Sequence, residues 1–385
     1  VSTWRGEAGV LRAIKEPFSI EQVELLRLDP TRVVVKTHAS PFCSTDVKNW
    51  KGLLYKIPPT ILGHASIGEV VEVGSAVPES AGIRVGQRVV VPGTPECGHC
   101  YYCSIGEPWQ CSELFDLGGI YPDIARGDDG ALISCAGCVG GYAEYMSISG
   151  NQVFPIESDL PSDVLSMLGC GISTGVGSVF NIARVQPGES VAIVGAGHLG
   201  LWMLQAARLA GAGTVVVVEP HEGRRALAGE LGADVLVDPG APGAGGAAEG
   251  ATEGAADALA AVRAATGGRG ADVVLEAAGP AVSQSFSVQA ARRAGRIVLT
   301  GFEIGGATLP LPQVETALQS RSILSSQNGQ VHMKSDLQRY TGLLERGLLD
   351  PDPIITRRYP LAGLDLARDR SGTLDDVCGI IVFDH

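Results

Sequence analysis

Two patterns of apolar positions divide the chain. In roughly the first 150 residues, short β-type runs such as Arg32–Lys36, Ile67–Val73 and Arg88–Val91 alternate with Gly and Pro punctuation, which predicts an irregular β-rich domain. After about residue 170 the runs become continuous and apolar: Val191–Val194, Thr214–Val218, Ala271–Leu275 and Arg296–Leu299. Helical patterns over Leu199–Leu209, Gly223–Leu231 and Ala281–Ala294 separate them. Apolar strands alternating with helices predict a doubly wound parallel sheet covered on both faces.

From about Gln327 β-like character returns, ending in Gly379–Phe383, which is expected to pack back onto the first domain. The division expected is therefore 1–174 with 327–385, and 175–326. Pro239–Ala258 is almost entirely Ala, Gly, Pro and Glu and lacks bulky side chains to anchor it, which predicts a mobile surface insertion. Ser190–Ala207 has no charged residue and reaches membrane-span length, but Gly195, Gly197 and Gly200 interrupt it. It reads as a strand, a turn and a helix start.

Composition narrows the function classes. Lys and Arg number 29 against 42 Asp and Glu, a net charge of −13, so no basic face for nucleic acid or an anionic membrane is expected. Val1–Ile14 carries Arg5, Glu7 and Arg12 and no apolar core of a signal peptide, and a soluble, cytoplasmic protein is expected. In that setting the nine cysteines suggest metal or catalysis rather than disulfides.

Four of them, Cys97, Cys100, Cys103 and Cys111, are spaced C-x2-C-x2-C-x7-C. Four thiolates complete a tetrahedral Zn²⁺ and leave no open position, so such a site is structural. An iron–sulfur cluster also uses four cysteines, but its short-range signature needs a Cys-Pro where Gly106 stands. Cys135 and Cys138 form another C-x2-C outside the strand-to-helix context of a redox pair and read as pocket-wall sequence.

Gly195-Ala-Gly197-His198-Leu199-Gly200 is a G-x-G-x-x-G turn between a strand and a helix, suited to a dinucleotide pyrophosphate. Glu219 follows Gly200 by 19 residues at the end of the next strand. A carboxylate there accepts from the adenosine ribose hydroxyls and repels a 2′-phosphate, favouring NAD over NADP, while Arg224 and Arg225 nearby keep NADP open.

A four-cysteine lobe upstream of a dinucleotide fold resembles the zinc-dependent alcohol dehydrogenases of the medium-chain dehydrogenase/reductase type. The resemblance covers essentially the whole chain, and the segment between Cys111 and Tyr142 is similar to the liver-type and formaldehyde-dehydrogenase-like branch. It implies a GroES-like catalytic domain over 1–174 and 327–385 and a Rossmann domain over 175–326. It further implies a catalytic zinc on Cys43, His64 and Cys170, with Asp46 bonding the histidine and Thr45 passing the substrate proton. Thr174 then lines the nicotinamide pocket, and His198, Leu199 and Arg224 join the three glycines and Glu219 at the cofactor.

The expected partners are two zinc ions, NAD(H) and a small alcohol, aldehyde or ketone, in a homo-oligomer (dimer or tetramer). The sequence departs from the family at Ala65 for a glutamate, Lys48 for a relay histidine, and Ser44 and Cys378 where basic residues are common. Gly93 replaces an aromatic ring present in some liver-type enzymes, which suggests a pocket open to bulkier alcohols. Two alternatives follow from these departures: a member retaining NAD for a net non-redox epimerase or lyase step, and a catalytically silent relative.

Overall fold

The computed structural model describes residues 4–26, 29–54, 58–116, 121–240, 253–303, 308–309, 311 and 313–384. Contacts divide the chain into two compact units: Val1–Ser173 with Val331–Gly347 and Pro351–His385, and Thr174–Gln330 with Leu348–Asp350.

The first unit is β-rich. A closed barrel is formed by Arg5–Leu11, Ser19–Leu25, Asp123–Gly127, Leu132–Cys135 and Thr60–Ile61. A seven-stranded sheet runs Phe154–Pro155, Arg88–Val91, Ser66–Val73, Arg32–Phe42, Cys378–Val382 and Ile355–Pro360, with Tyr145–Ser149 also paired to Arg32–Phe42. Val33, Val35, Val70, Val89, Val91, Met146 and Ile148 fill one core against this sheet. The C-terminal strand pairs antiparallel with Arg32–Phe42, Gly379 opposite Phe42, so the chain's end does return to this unit.

Between Gln327 and that strand, however, the chain is not simply β-like. Met333–Glu345 is a helix whose buried Met333, Leu337, Tyr340, Thr341 and Leu344 recur at helical spacing. Leu364–Gly372 is a second helix.

The second unit carries a six-stranded parallel sheet. Its strands are β1 (Ser190–Val194), β2 (Thr214–Val218), β3 (Val235–Val237), β4 (Ala271–Glu276), β5 (Ala291–Leu299) and β6 (Ser322–Ser325), in the order β3-β2-β1-β4-β5-β6. Helices α1 (His198–Leu209), α2 (Glu222–Glu230), α3 (Glu253–Ala265), α4 (Ala281–Ala290) and α5 (Gln313–Leu318) accompany it. The charge-free stretch from Ser190 is thus β1, the glycine turn and most of α1. Among the described residues no single helix is long and apolar enough to cross a membrane.

Two expectations shift here. The helix from Ala281 stops at Ala290, because Ala291 is extended and opens β5, where it pairs with Ala271. Of Pro239–Ala258, residues 241–252 lie outside the described residues, but Glu253–Ala258 are the first turns of α3. Ala258 is fully packed in the core between sheet and helices, so this part is no surface insertion. Alanine is the best helix former, and its short side chain permits close packing on the sheet.

Candidate active site

Cys97, Cys100, Cys103 and Cys111 meet in a lobe of short turns. Their sulfur atoms all lie within 4.8 Å of one another, with Cys97 Sγ 3.9 Å from Cys103 Sγ. A tetrahedral ion with Zn–S bonds of about 2.3 Å has S···S edges of about 3.8 Å, so the cage fits that ion. The local charges agree. Burial pushes the Cys100 thiol up, but the N–H groups of Cys103 and Ser112 outweigh it and bring it down to about 6. Burial holds Cys103 up at about 11 and raises Cys111 as well, so keeping four thiolates together calls for a cation.

Asp46 is the hub of a second cluster. It lies on the helix Ser44–Trp50, which starts directly after Cys43, and its side chain is completely buried. One carboxylate oxygen accepts from the Cys43 backbone N–H at 3.1 Å. The other accepts from the Gly63 N–H at 3.2 Å and faces His64 Nδ1 at 3.3 Å. With Nδ1 given to Asp46, Nε2 points away, 3.3 Å from Cys170 Sγ. Cys43 is also a neighbour of that sulfur, its thiol being the largest influence raising the Cys170 thiol, followed by burial.

Burial pushes the His64 imidazole down, but Asp46 and Cys170 outweigh it and hold it well above its ordinary range. Imidazole and thiol are donor types that zinc takes, but among the described residues Cys43, His64 and Cys170 are not one of the groups whose ligand atoms all lie within 4.8 Å of one another. Thr45 Oγ1 is 3.7 Å from Cys43 Sγ. Cys43, Thr45, Asp46, His64 and Cys170 are therefore brought together, although they are scattered along the sequence.

Close backbone packing makes this possible. Gly63 has φ +86°, and a Cβ there would stand 2.9 Å from the Tyr142 nitrogen. Ala65 is fully buried, and a Cβ on Gly169 would stand 3.0 Å from its methyl, so Ala65 fills the space beside the Cys170 turn. Gly93 has a role the sequence did not suggest. A Cβ there would meet the His64 carbonyl oxygen at 2.8 Å, so the missing side chain admits the His64 backbone. Lys48 is on the same helix as Thr45, Ser44 is exposed, and Cys378 is buried at the start of the C-terminal strand.

Cys135 is completely buried at the end of its strand and Cys138 follows in a tight turn, both unbridged. Burial pushes their thiols up to about 12 and about 11, the reverse of a reactive pair. The turn instead backs the histidine: Gly137 has φ +62°, and a Cβ there would stand 3.3 Å from His64 Cβ. A glycine inside C-x2-C was the available signal for it.

In the second unit, Gly195, Gly197 and Gly200 divide the work of the nucleotide turn. Gly195 has φ +97° and makes the tight bend, its N–H bonded to the Val218 carbonyl at 2.8 Å. A Cβ on Gly200 would strike the Gly195 oxygen at 1.9 Å, so α1 packs directly on the turn. Gly197, the N-cap of α1, is open except for Arg224 Nη1 at 3.6 Å from where a Cβ would stand. His198 and Leu199 begin the helix, whose first N–H groups have no acceptor within it, as in any helix. An open backbone at a helix N-terminus fits a pyrophosphate.

Glu219 follows β2 and is buried, accepting from the Ala196 N–H at 2.7 Å and the His221 N–H at 2.8 Å. Arg225 pairs with Asp238 at 2.9 Å and donates to the Glu219 carbonyl. Thr174 is buried and donates to Asn328 Oδ1 at 3.2 Å.

The sequence profile of the alcohol dehydrogenase GroES-like domain matches residues 29–158, and that of zinc-binding dehydrogenases matches 199–346. A geraniol dehydrogenase of Castellaniella defragrans is 31% identical over 363 residues, 91% of each chain. The chain belongs to the zinc-binding alcohol dehydrogenase family.

Solved structures agree with that assignment. A zinc-binding-domain alcohol dehydrogenase from Burkholderia ambifaria superposes with TM-score 0.89 at 28% identity, covering 100% of both chains. The benzyl alcohol dehydrogenase of Acinetobacter calcoaceticus gives 0.87 at 26%, covering 99% of this chain and 100% of its own. The protein is thus an oxidoreductase acting on alcohols, with zinc and a nicotinamide nucleotide as cofactors and a GroES-like and a Rossmann-type domain.

Proposed function

We propose that this alcohol dehydrogenase oxidises an apolar alcohol of the size of geraniol or benzyl alcohol, or reduces the matching carbonyl compound, using NAD(H). The observation that carries the reading is the Asp46–His64–Cys170 chain with Cys43 beside it. Cys43, His64 and Cys170 would hold the catalytic zinc, and Cys97, Cys100, Cys103 and Cys111 a structural one. Bound there, zinc would supply Lewis acidity at the substrate oxygen and the nicotinamide a hydride acceptor.

The chain's own residues do the rest. Asp46 keeps the His64 proton on Nδ1 and fixes the ring, the usual means of orienting a ligating imidazole. Thr45 Oγ1, close to Cys43, would pass the proton on, accepting the one that the alcohol loses while giving its own to water. Glu219 accepts from the adenosine ribose hydroxyls and disfavours a 2′-phosphate, and the Gly197 backbone receives the pyrophosphate. The choice of substrate is supported by the names of the two relatives, geraniol dehydrogenase and benzyl alcohol dehydrogenase. Nine unbridged cysteines suit a reducing, cytoplasmic setting. A homo-oligomer is supported by β6, which among the described residues pairs on one side only.

The test combines metal analysis with a screen of geraniol, benzyl alcohol and short alcohols by nicotinamide absorbance. Expected are two zincs per chain, turnover with NAD better than with NADP, and a narrower gap in Glu219→Ala. One zinc in the fully active protein would refute the two-site assignment. A wild-type preference for NADP would instead give Arg224 the 2′-phosphate.

A further inference from the structure

Glu276 is a buried carboxylate that none of the chemistry above uses. It is the last residue of β4, paired with Val194 of β1 on one side and Leu299 of β5 on the other. The sheet order β3-β2-β1-β4-β5-β6 puts the reversal of winding between β1 and β4. Open parallel sheets bind their ligands outside the strands' carboxyl ends at this reversal. Glu276 stands at that edge.

Its polar atoms join two turns. Its carbonyl accepts from the Thr300 N–H at 2.9 Å and the Gly301 N–H at 3.1 Å, which fixes the turn after β5. One carboxylate oxygen, Oε1, accepts from the Ala278 N–H at 3.0 Å, the Gly279 N–H at 2.7 Å and the Ser283 hydroxyl at 2.7 Å. This fixes the turn after β4. The Ala277 N–H in turn bonds the Val194 carbonyl at 2.9 Å, and a Cβ on Gly195 would stand 3.0 Å from the Ala278 nitrogen. The turn therefore lies directly against the first glycine of the nucleotide motif.

The two outer turns also touch, since a Cβ on Gly301 would stand 2.4 Å from the Gly279 nitrogen. The other oxygen, Oε2, is buried with no hydrogen-bond partner in place, and burial raises the carboxyl above its ordinary range against the pull of its donors. Such a group is costly to keep. Three donors converging on one oxygen suit a scaffold rather than a titrating site.

We propose that Glu276 is a positioning residue for the nicotinamide half of the cofactor, holding the 277–279 and 300–302 turns in register beside Gly195. The halves are assigned by topology. Glu219 follows β2 on one side of β1 and serves the adenosine, and β4 with β5 build the second mononucleotide half on the other side. The inference rests on the nucleotide reading given under the proposed function.

The experiment compares binding of 5′-AMP, which occupies the adenosine half only, with binding of NAD⁺, by titration calorimetry on the zinc-loaded enzyme. In Glu276→Ala the NAD⁺ Kd is expected to rise by about tenfold or more, as for a buried acceptor removed from several donors, with AMP within about twofold. Glu276→Gln keeps an oxygen for the Ala278, Gly279 and Ser283 donors, so it should restore most of the NAD⁺ affinity. Ser283→Ala, which removes one donor, should shift NAD⁺ in the same direction by a smaller factor, and it decides the matter if Glu276→Ala does not fold.

AMP and NAD⁺ weakening together, or Glu276→Gln failing as badly as Glu276→Ala, would overturn the positioning role. An unchanged NAD⁺ Kd in Ser283→Ala would do so too if it is the only folded variant. Wild-type protein that binds neither ligand would instead overturn the nucleotide reading and this inference with it.

Discussion

At the scale of single residues, the proposed proton path depends on a hydroxyl. Thr45 Oγ1 lies 3.7 Å from Cys43 Sγ, on a helix held to Gly63 and His64 through Asp46. Its removal should spare the donor set, so Thr45→Ala is expected to keep its zinc and NAD⁺ affinity but lose about 10²-fold or more in turnover. Thr45→Ser keeps the hydroxyl and should stay active. Wild-type turnover of Thr45→Ala across pH 6 to 9 would move the proton exit to water or to the side of Lys48. This cluster was legible in the sequence only through the family resemblance, because Cys43, His64 and Cys170 lie far apart along the chain and none of them alone marks a site. What was not legible was steric. Gly93 and Gly137 matter through what a Cβ would hit at His64, and only the folded backbone brings those atoms near. Glu276 was hidden likewise, since its donors are mostly backbone N–H groups that no side-chain motif records.

At the scale of elements, β1, β2, β4 and the second half of β5 were readable because they are largely buried and run mostly apolar. The edge strands β3, with Leu236 exposed, and β6, with Ser322 and Ser325 exposed, were not. Their ends were harder. The helix from Ala281 gives way to β5 at Ala291 through pairing with β4, and the helix Met333–Glu345 is interspersed with polar residues that masked its apolar stripe. At the ends of β1, β4 and β5 farthest from the glycine turn, Asp272 works as a clamp. It accepts from the Ser190 N–H at 2.7 Å, the Ser190 hydroxyl at 2.6 Å and Arg292 Nε at 2.5 Å. Burial pushes its carboxyl up, but Ser190 and then Arg292 outweigh it and bring it down from 3.8 to about 2. A carboxylate depressed on folding adds stability that is complete above its unfolded pKa and lost as pH falls through the folded one. This one is worth at most about 2 kcal/mol after allowance for its partial exposure. Asp272→Ala should therefore lower urea stability by about that amount at pH 7, with the difference shrinking from about pH 4 toward pH 2. A difference that stays constant over that range would show that Asp272 acts through packing rather than charge.

At the scale of the whole molecule, the remaining question is what covers the far edge of the second unit's sheet. Strand β6 pairs with β5 and, among the described residues, with nothing on its other side. An open edge offers backbone donors and acceptors to another strand, and monomeric proteins usually blunt such edges with charge or proline. Ser322–Ser325 contains neither. The helix just before it, α5, leaves Val314 68% and Leu318 80% exposed, with Leu311 exposed close by. Apolar side chains beside an unpaired strand suit a second copy of the same chain, because a two-fold axis lets β6 pair with itself and covers both copies of α5 at once. Sedimentation at micromolar protein should accordingly give a mass of at least twice the 39.8 kDa chain. The double change Val314→Lys and Leu318→Lys puts like charges on both sides of that axis and should drive the species toward monomer, without loss of the zinc held in the other unit. A monomeric wild type would remove the self-association altogether. A double variant that stays at the wild-type mass would place the interface on a different surface.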